Sequence, residues 1–126
     1  MDKYDPLRAP DPKLWLDLDE HERIHLVVDY HRRTQFKQAN VEMHSLMHVL
    51  VENQIALGDE IPVRRTAQRL IVEGLDRHDV IHAIASVLAS HMTVLMTNAD
   101  AMQNPHQPYY DALEELTADE WLTSGI

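Results

Sequence analysis

Cysteine is absent from this chain of 126 residues, and its absence excludes several kinds of chemistry at once. Without a thiol there is no disulfide, no thiolate zinc site, no iron–sulfur cluster and no cysteine nucleophile. Any metal ion must therefore be held by imidazole and carboxylate groups. Such a ligand set favours Zn²⁺, Fe²⁺, Mn²⁺ or Ni²⁺ over Cu⁺, which prefers sulfur.

Basic residues are also scarce. The chain has 11 Lys and Arg against 21 Asp and Glu, a formal net charge of −10, and its only basic clusters are the dipeptides Arg32-Arg33 and Arg64-Arg65. Nucleic acids and anionic membrane surfaces both bind through basic patches, so we expect neither as a partner.

Long apolar runs are missing as well. No stretch approaches the ~20 uninterrupted apolar residues of a membrane span, and residues 1–6 lack the apolar segment of a signal peptide. We therefore expect a cytoplasmic protein that does not contact the membrane.

Glycine occurs only three times, and Gly58 and Gly74 fall where predicted helices end. Residues suited to helix starts are Asp17, Asn40, Pro62 and Asp76. They predict helices over residues 17–33, 40–57, 63–73 and 76–97. No segment alternates with a period of two, so we expect an all-α fold.

The expected organisation is a single compact domain of four main helices plus a C-terminal helical tail. Residues 1–16 form an N-terminal arm, residues 17–97 the four-helix core and residues 98–126 the tail. Within the tail, residues 109–116 are predicted to be helical, and a last short turn carries Trp121.

Two histidine pairs of identical spacing are the clearest indication of a functional site in the sequence. The pairs are His44 with His48 and His78 with His82, and Glu52 follows His48 by a further four residues. Residues four apart lie on one face of a helix, so both rings of a pair can reach one point. Two such helices packed side by side predict a metal site built from all five residues.

The alternative is that these histidines form a buried polar network, in which they cap, bond to one another or pair with acids such as Glu52. His31, His91 and His106 are interpreted as ordinary polar or boundary residues.

A third pair lies within the string His21-Glu22-Arg23-Ile24-His25, which matches the H-E-x-x-H pattern of zinc proteases. That chemistry needs a third ligand and a strand-edged cleft, and no strand is predicted. The pair also falls in the exposed first turns of its helix. A metalloprotease is therefore not the favoured interpretation.

Residues 40–59 (NVEMHSLMHVLVENQIALGD) and 64–88 (RRTAQRLIVEGLDRHDVIHAIASVL) resemble a family of short bacterial helical proteins catalogued as domain of unknown function 1841. The resemblance extends over residues 15–92, about two thirds of the chain. Its pattern is a His-x-x-x-His helix running into Glu-Asn-Gln, a short helix ending at Gly, and a second His-x-x-x-His helix. The matching residues are His44, His48, Glu52, Asn53, Gln54, Arg64, His78 and His82.

This resemblance implies a helical fold and a site at the paired histidines, in a bacterial protein. It implies no reaction, because the family has no established activity.

Two functions follow from the sequence. The first is a metal-binding helical domain, in which four imidazoles fill a tetrahedral shell and favour a structural role. Displacement of one histidine, or a second ion brought by Glu52, would instead give an open site for hydrolytic or redox chemistry. The second is a non-catalytic interaction or homo-oligomerisation module with a buried histidine network. The acidic surface and the tail residues Tyr109, Tyr110 and Trp121 suit a homodimer or a docking partner.

Overall fold

The computed structural model describes residues 1–34, 40–98 and 103–123, and every regular element within these ranges is helical. The all-α prediction is therefore confirmed. In place of the expected four main helices and a tail, these ranges contain seven α-helices and one 3-10 turn, Gly58–Glu60. The α-helices are α1 (Pro12–Asp17), α2 (Glu20–Arg33), α3 (Val41–Ala56), α4 (Val63–Val72), α5 (Arg77–Thr97), α6 (Gln107–Glu115) and α7 (Ala118–Thr123).

Helices α3 and α5, which carry the two histidine pairs, begin where the sequence predicts. The Asn40 side chain accepts from the Met43 N–H at 2.9 Å, and the Asp76 side chain accepts from the Asp79 N–H at 2.8 Å. Each cap pairs a backbone donor that the first turn of a helix leaves without an intrahelical partner. Gly74, with a φ of 116°, turns the chain between α4 and α5.

The prediction for the start of the first helix is wrong. Asp17 is the last residue of α1, and the N-cap of α2 is Asp19, whose carboxylate accepts from the Glu22 N–H at 2.8 Å. A separate helix precedes the turn because Asp11 caps it and Pro12 occupies its first position, where a missing N–H costs nothing.

The Arg23 side chain holds this turn in place. Its guanidinium donates to backbone carbonyls of both α1 and the turn, namely those of Trp15, Leu16 and Leu18. It also donates to the Asn53 side chain of α3 at 3.2 Å. One residue of α2 therefore fixes how α1 lies against α3.

The segments outside residues 17–97 are part of the hydrophobic core. Tyr4 and Trp15 are 1% and 0% exposed and pack with residues of α2 and α3. From α6, Tyr109 and Leu113 join a larger cluster formed with α3, α4 and α5. The predicted arm and tail thus contribute buried side chains and cover the four-helix core.

Helix α5 is the one helix of the described ranges that is long and apolar enough to cross a membrane. It has 21 residues, and its most apolar stretch has a mean hydropathy of 1.6. Its first half lies in the core, with Ile81 and Ile84 fully buried, whereas Met96 near its end is 84% exposed. A core helix meets the same length and composition test, so the absence of a membrane partner stays a prediction.

Candidate metal centre

The two histidine pairs face each other across the contact between α3 and α5. Ring centroids of His44 and His82 are 5.0 Å apart, and those of His48 and His78 are 5.3 Å apart. The helices therefore run antiparallel here, with the first histidine of one pair opposite the second of the other. The predicted convergence of the two pairs is confirmed.

Ring nitrogens of this cluster form two groups that could each hold a metal ion. One group is His48, His78 and His82, and the other is His31, His44 and His48. Within each group, one ring nitrogen from every histidine lies within 4.8 Å of the others. His48 belongs to both groups and is the centre of the cluster.

The shortest contact in the cluster joins the two Nε2 atoms of His48 and His82, which are 3.0 Å apart. Two nitrogens bound to one tetrahedral zinc ion at ~2.0–2.1 Å would be about 3.3 Å apart. The observed separation is close to this value, so this pair needs little movement to share an ion. The third nitrogen of the group, at up to 4.8 Å, requires a modest side-chain adjustment.

His31, interpreted from the sequence as an ordinary polar residue, is part of the cluster. It is 1% exposed, and its ring centroid lies 4.7 Å from that of His44 and 4.9 Å from that of His48. Its Nδ1 is 2.7 Å from Ser45 Oγ, which orients the ring. The sequence signal for its burial is the apolar residue Val27, one helical turn earlier on the same face of α2. In the structure Val27 is fully buried.

Burial keeps the imidazoles of the cluster neutral. Burial, together with the neighbouring rings, lowers the pKa of His48 to about 2 and the pKa values of His31 and His82 to about 4. The pKa values of His44 and His78 are lowered as well, mainly by burial. A neutral ring has a lone pair to donate, which is the form that a metal ion binds.

Acidic side chains near α5 act in the opposite direction on the same rings. The charges of Asp76, Asp79 and Asp5 raise the pKa of His78 against the larger effect of burial, and Asp76 does the same at His82. Such a field favours positive charge at this end of the cluster. It would stabilise a bound cation as it stabilises a protonated ring.

Glu52, predicted as a metal ligand, belongs to neither group. Its carboxylate is 2% exposed and accepts from both ends of the Arg77 guanidinium, at 2.6 and 2.8 Å, and from the Tyr4 hydroxyl at 2.5 Å. These donors engage both of its oxygens. Burial is the main cause that raises the pKa of Tyr4, and the Glu52 charge raises it further, so that the hydroxyl keeps its proton.

Tyr4 connects this buried ion pair to the histidine cluster. Its hydroxyl oxygen lies 3.4 Å from His48 Nδ1, while its proton is donated to Glu52. The oxygen is therefore an acceptor for an Nδ1–H of His48. That tautomer leaves the lone pair of His48 on Nε2, the atom that faces His82. Tyr4 and Arg77 have no spacing signal in the sequence that relates them to the histidines.

The two residues after Glu52 each fasten α3 to another part of the chain. The side-chain oxygen of Asn53 accepts from the Trp15 indole N–H at 2.9 Å, and the side-chain oxygen of Gln54 accepts from the Tyr109 hydroxyl at 2.6 Å. The Glu-Asn-Gln triplet thus bonds α3 to the N-terminal segment and to α1, α2, α5 and α6.

The remaining histidines lie outside both groups. His21 and His25 are exposed on the first turns of α2, as predicted. His91 stacks on Tyr109 with ring centroids 5.4 Å apart, and His106 stacks on Tyr110 at 6.2 Å. In the part of the chain that the structure describes, the H-E-x-x-H string gains no third ligand.

No family model, no curated protein and no solved structure matches this chain. The resemblance to domain of unknown function 1841 therefore stays a prediction. The site has to be interpreted from its own chemistry.

Proposed function

We propose that this protein binds one divalent metal ion between α3 and α5, through Nε2 of His48 together with His78, His82 and His44. The ion would tie the two helices together in the middle of the fold. Four imidazoles complete a tetrahedral shell, which favours a structural role over an open catalytic position.

One observation carries this proposal. Nε2 of His78 is shielded from solvent and has no hydrogen-bond partner among residues 1–34, 40–98 and 103–123. A buried polar atom without a partner is costly and uncommon in proteins. A metal ion bound within the group of His48, His78 and His82 would remove that cost, whereas a network of histidines alone leaves it in place.

The contacts around the cluster support the same function. A metal-binding histidine usually donates its other ring N–H to an oxygen, which fixes the tautomer and the ring orientation. Tyr4 supplies that oxygen for His48, and the Glu52–Arg77 ion pair holds Tyr4. Glu52 then acts through Tyr4 as a positioning residue, without contacting the ion.

The available ligand atoms restrict which metal ion can bind. Imidazole nitrogen suits Zn²⁺, Fe²⁺ and Ni²⁺, whereas Mn²⁺ prefers oxygen ligands. With the Glu52 carboxylate engaged by Arg77 and Tyr4, no carboxylate joins the histidine groups of the described residues. We therefore propose Zn²⁺ or Fe²⁺, with Ni²⁺ as a substitute in vitro and Mn²⁺ as the weakest of the four.

Elemental analysis of protein purified without a histidine tag tests the proposal. We expect about one equivalent of metal per chain, and a thermal melting temperature that falls on treatment with EDTA and recovers with Zn²⁺. A ligand that binds only the folded state stabilises it in this way. His48→Ala should abolish metal binding, because His48 belongs to both groups.

The exposed pair His21 and His25 provides the matched control, since it has the same helical spacing without the neighbouring rings. His21→Ala should retain the full metal content. Untagged protein that contains no metal and is not stabilised by Zn²⁺, Fe²⁺ or Ni²⁺ would overturn the proposal and favour the buried histidine network.

A second candidate function, self-association, is favoured by the far end of α5. Met92, Val94 and Met96 are 39%, 47% and 84% exposed there. Residues 80–98 include no charged side chain, in a chain whose net charge is −10. Two copies could approach along this stretch with little charge repulsion. Sedimentation analysis should show a dimer that Met96→Glu disrupts, and a monomer at high concentration would rule it out.

A further inference from the structure

We propose that a cavity between α1, α3, α4 and α5 binds a small carboxylate with an apolar body, and that Arg64 recognises the carboxylate. Glu52, which bonds to Tyr4 beside the histidine cluster, is among the residues that line the cavity. The proposal does not depend on the metal, because none of the five clustered histidines lines the cavity.

The cavity has a volume of about 260 Å³ and mainly apolar walls. Pro12 and Trp15 form one side, and Ile55 and Val80 are among the apolar residues that complete it. Binding pockets for drug-sized ligands have volumes of roughly 300–1,000 Å³, so the ligand here is smaller. An apolar body of about six carbons has the size and apolarity to displace water from such walls.

The two charged residues at the buried end of the cavity neutralise each other. Glu52 and Arg77 both line it, and they form an ion pair whose side chains are 1% and 11% exposed. Arg77 also donates to the Pro6 carbonyl, so three hydrogen bonds hold its guanidinium. A ligand therefore meets no unpaired charge at the inner end of the cavity.

The rim of the cavity carries a cation with no acidic partner. Arg64 is exposed and lines the cavity beside Gln68, which offers an amide donor. No carboxylate of the described part of the chain lies within salt-bridge distance of Arg64. With Glu52, Arg64 and Arg77 as its charged residues, the cavity has a net charge of +1 in a chain of −10.

These features together define the class of ligand. An apolar tail would lie against Ile55 and Ile71, and the carboxylate would remain at the mouth, where it pairs with Arg64 and avoids the cost of burial. A neutral molecule of the same shape would make the apolar contacts alone. A polyanion would place charge against Glu52 and the apolar walls.

Hexanoate and its neutral counterpart hexanamide are suitable probes, and the Trp15 indole is a suitable reporter. Trp15 and Trp121 are the only tryptophans, so two indole N–H signals are expected in a nitrogen–proton correlation spectrum, and Trp121→Phe assigns them. Trp15 lines the cavity and its indole N–H donates to the Asn53 side chain, so occupancy of the cavity should shift its signal. The Trp121 signal should not move.

We expect hexanoate to shift the Trp15 signal in a saturable manner and to bind about tenfold more tightly than hexanamide, as a charge-assisted contact implies. Arg64→Gln should reduce the affinity for hexanoate to that for hexanamide. Arg65→Gln is the matched control: Arg65 is the next residue of α4, is also exposed and does not line the cavity, so its loss should leave the affinity unchanged.

The comparison of the two probes and the comparison of the two arginine variants can each overturn the proposal. A Trp15 signal that neither probe shifts at millimolar concentration shows that the cavity does not bind this class of ligand. Equal affinities for the two probes, or equal losses for the two arginine variants, show that Arg64 does not recognise a carboxylate. Both arginines are exposed, so neither substitution threatens the fold, and repeating the titration in EDTA separates this result from that of the metal proposal.

Discussion

Replacing Glu52 with Gln should destabilise the metal-free protein far more than the loss of a surface charge would. Gln retains the shape and one acceptor oxygen, but it removes the negative charge that faces the buried Arg77 guanidinium. Its amide N–H₂ group also replaces one of the two oxygens that accept from Arg77 and Tyr4. The variant therefore leaves a buried cation without its counter-charge and displaces the Tyr4 hydroxyl.

The magnitude follows from the burial of the pair. Removing one partner of a buried ion pair typically costs ~3–5 kcal/mol, and a single charge-assisted hydrogen bond is worth about 1.5–3 kcal/mol. Since Gln keeps one acceptor, we expect a loss of about 2–4 kcal/mol in the free energy of unfolding. Metal affinity should fall about 10–100-fold, because Tyr4 then no longer fixes the tautomer of His48.

Urea unfolding in EDTA measures the first effect, and zinc titration of the folded variant measures the second. Asp29→Asn is the control: its ion pair with Arg33 has side chains that are 43% and 37% exposed, so its loss should cost under about 1 kcal/mol. If the two variants unfold at the same urea concentration, the Glu52–Arg77 pair does not stabilise the fold as argued. If Glu52→Gln binds zinc as tightly as the parent, Glu52 does not position the site.

Three further perturbations have defined outcomes. In EDTA, stability should fall as the pH drops from about 6.5 towards 4, because the buried histidines are neutral in the folded chain and protonated in the unfolded one. His31, with its pKa lowered to about 4, should contribute a loss of about 2 kcal/mol in the free energy of unfolding at pH 5. A urea midpoint that is unchanged between pH 7 and pH 5 would contradict this. Tyr4→Phe should cost about 1.5–3 kcal/mol in urea unfolding and weaken zinc binding without changing the helical circular dichroism, because it removes only the hydroxyl between His48 and Glu52. Gly74→Ala should lower the free energy of unfolding by about 1–2 kcal/mol through backbone strain at a φ of 116°, since no atom lies within 4 Å of an added Cβ. A variant as stable as the parent in urea would show that the turn relaxes.

The parts of the fold that local chemistry determines could be predicted from the sequence. The caps Asn40 and Asp76 and the left-handed Gly74 each act within one turn of a helix, so they set the ends of α3, α4 and α5 almost to the residue. The facing of the two histidine pairs also followed, because helical periodicity places each pair on one side.

The rest of the site depends on contacts between distant segments, which periodicity does not encode. Tyr4 meets Glu52 across 48 residues of sequence, and Arg77 meets it across 25. Without those contacts, Glu52 looked like a ligand because it continues the stripe of His44 and His48. His31 was missed for a related reason, since a single histidine gives no spacing and only its burial on α2 assigns it to the cluster.

The position of Tyr4 makes the accessibility of the proposed metal site depend on a segment that has no regular structure of its own. Residues 1–10 are attached through the Tyr4 hydroxyl, the Tyr4 carbonyl that accepts from Arg33, and the Pro6 carbonyl that accepts from Arg77. Local detachment of such a segment requires less free energy than global unfolding. The rate at which metal enters and leaves should therefore follow the opening of this segment, and a proteolytic cut before Pro12 should speed metal exchange in a protein that otherwise remains folded.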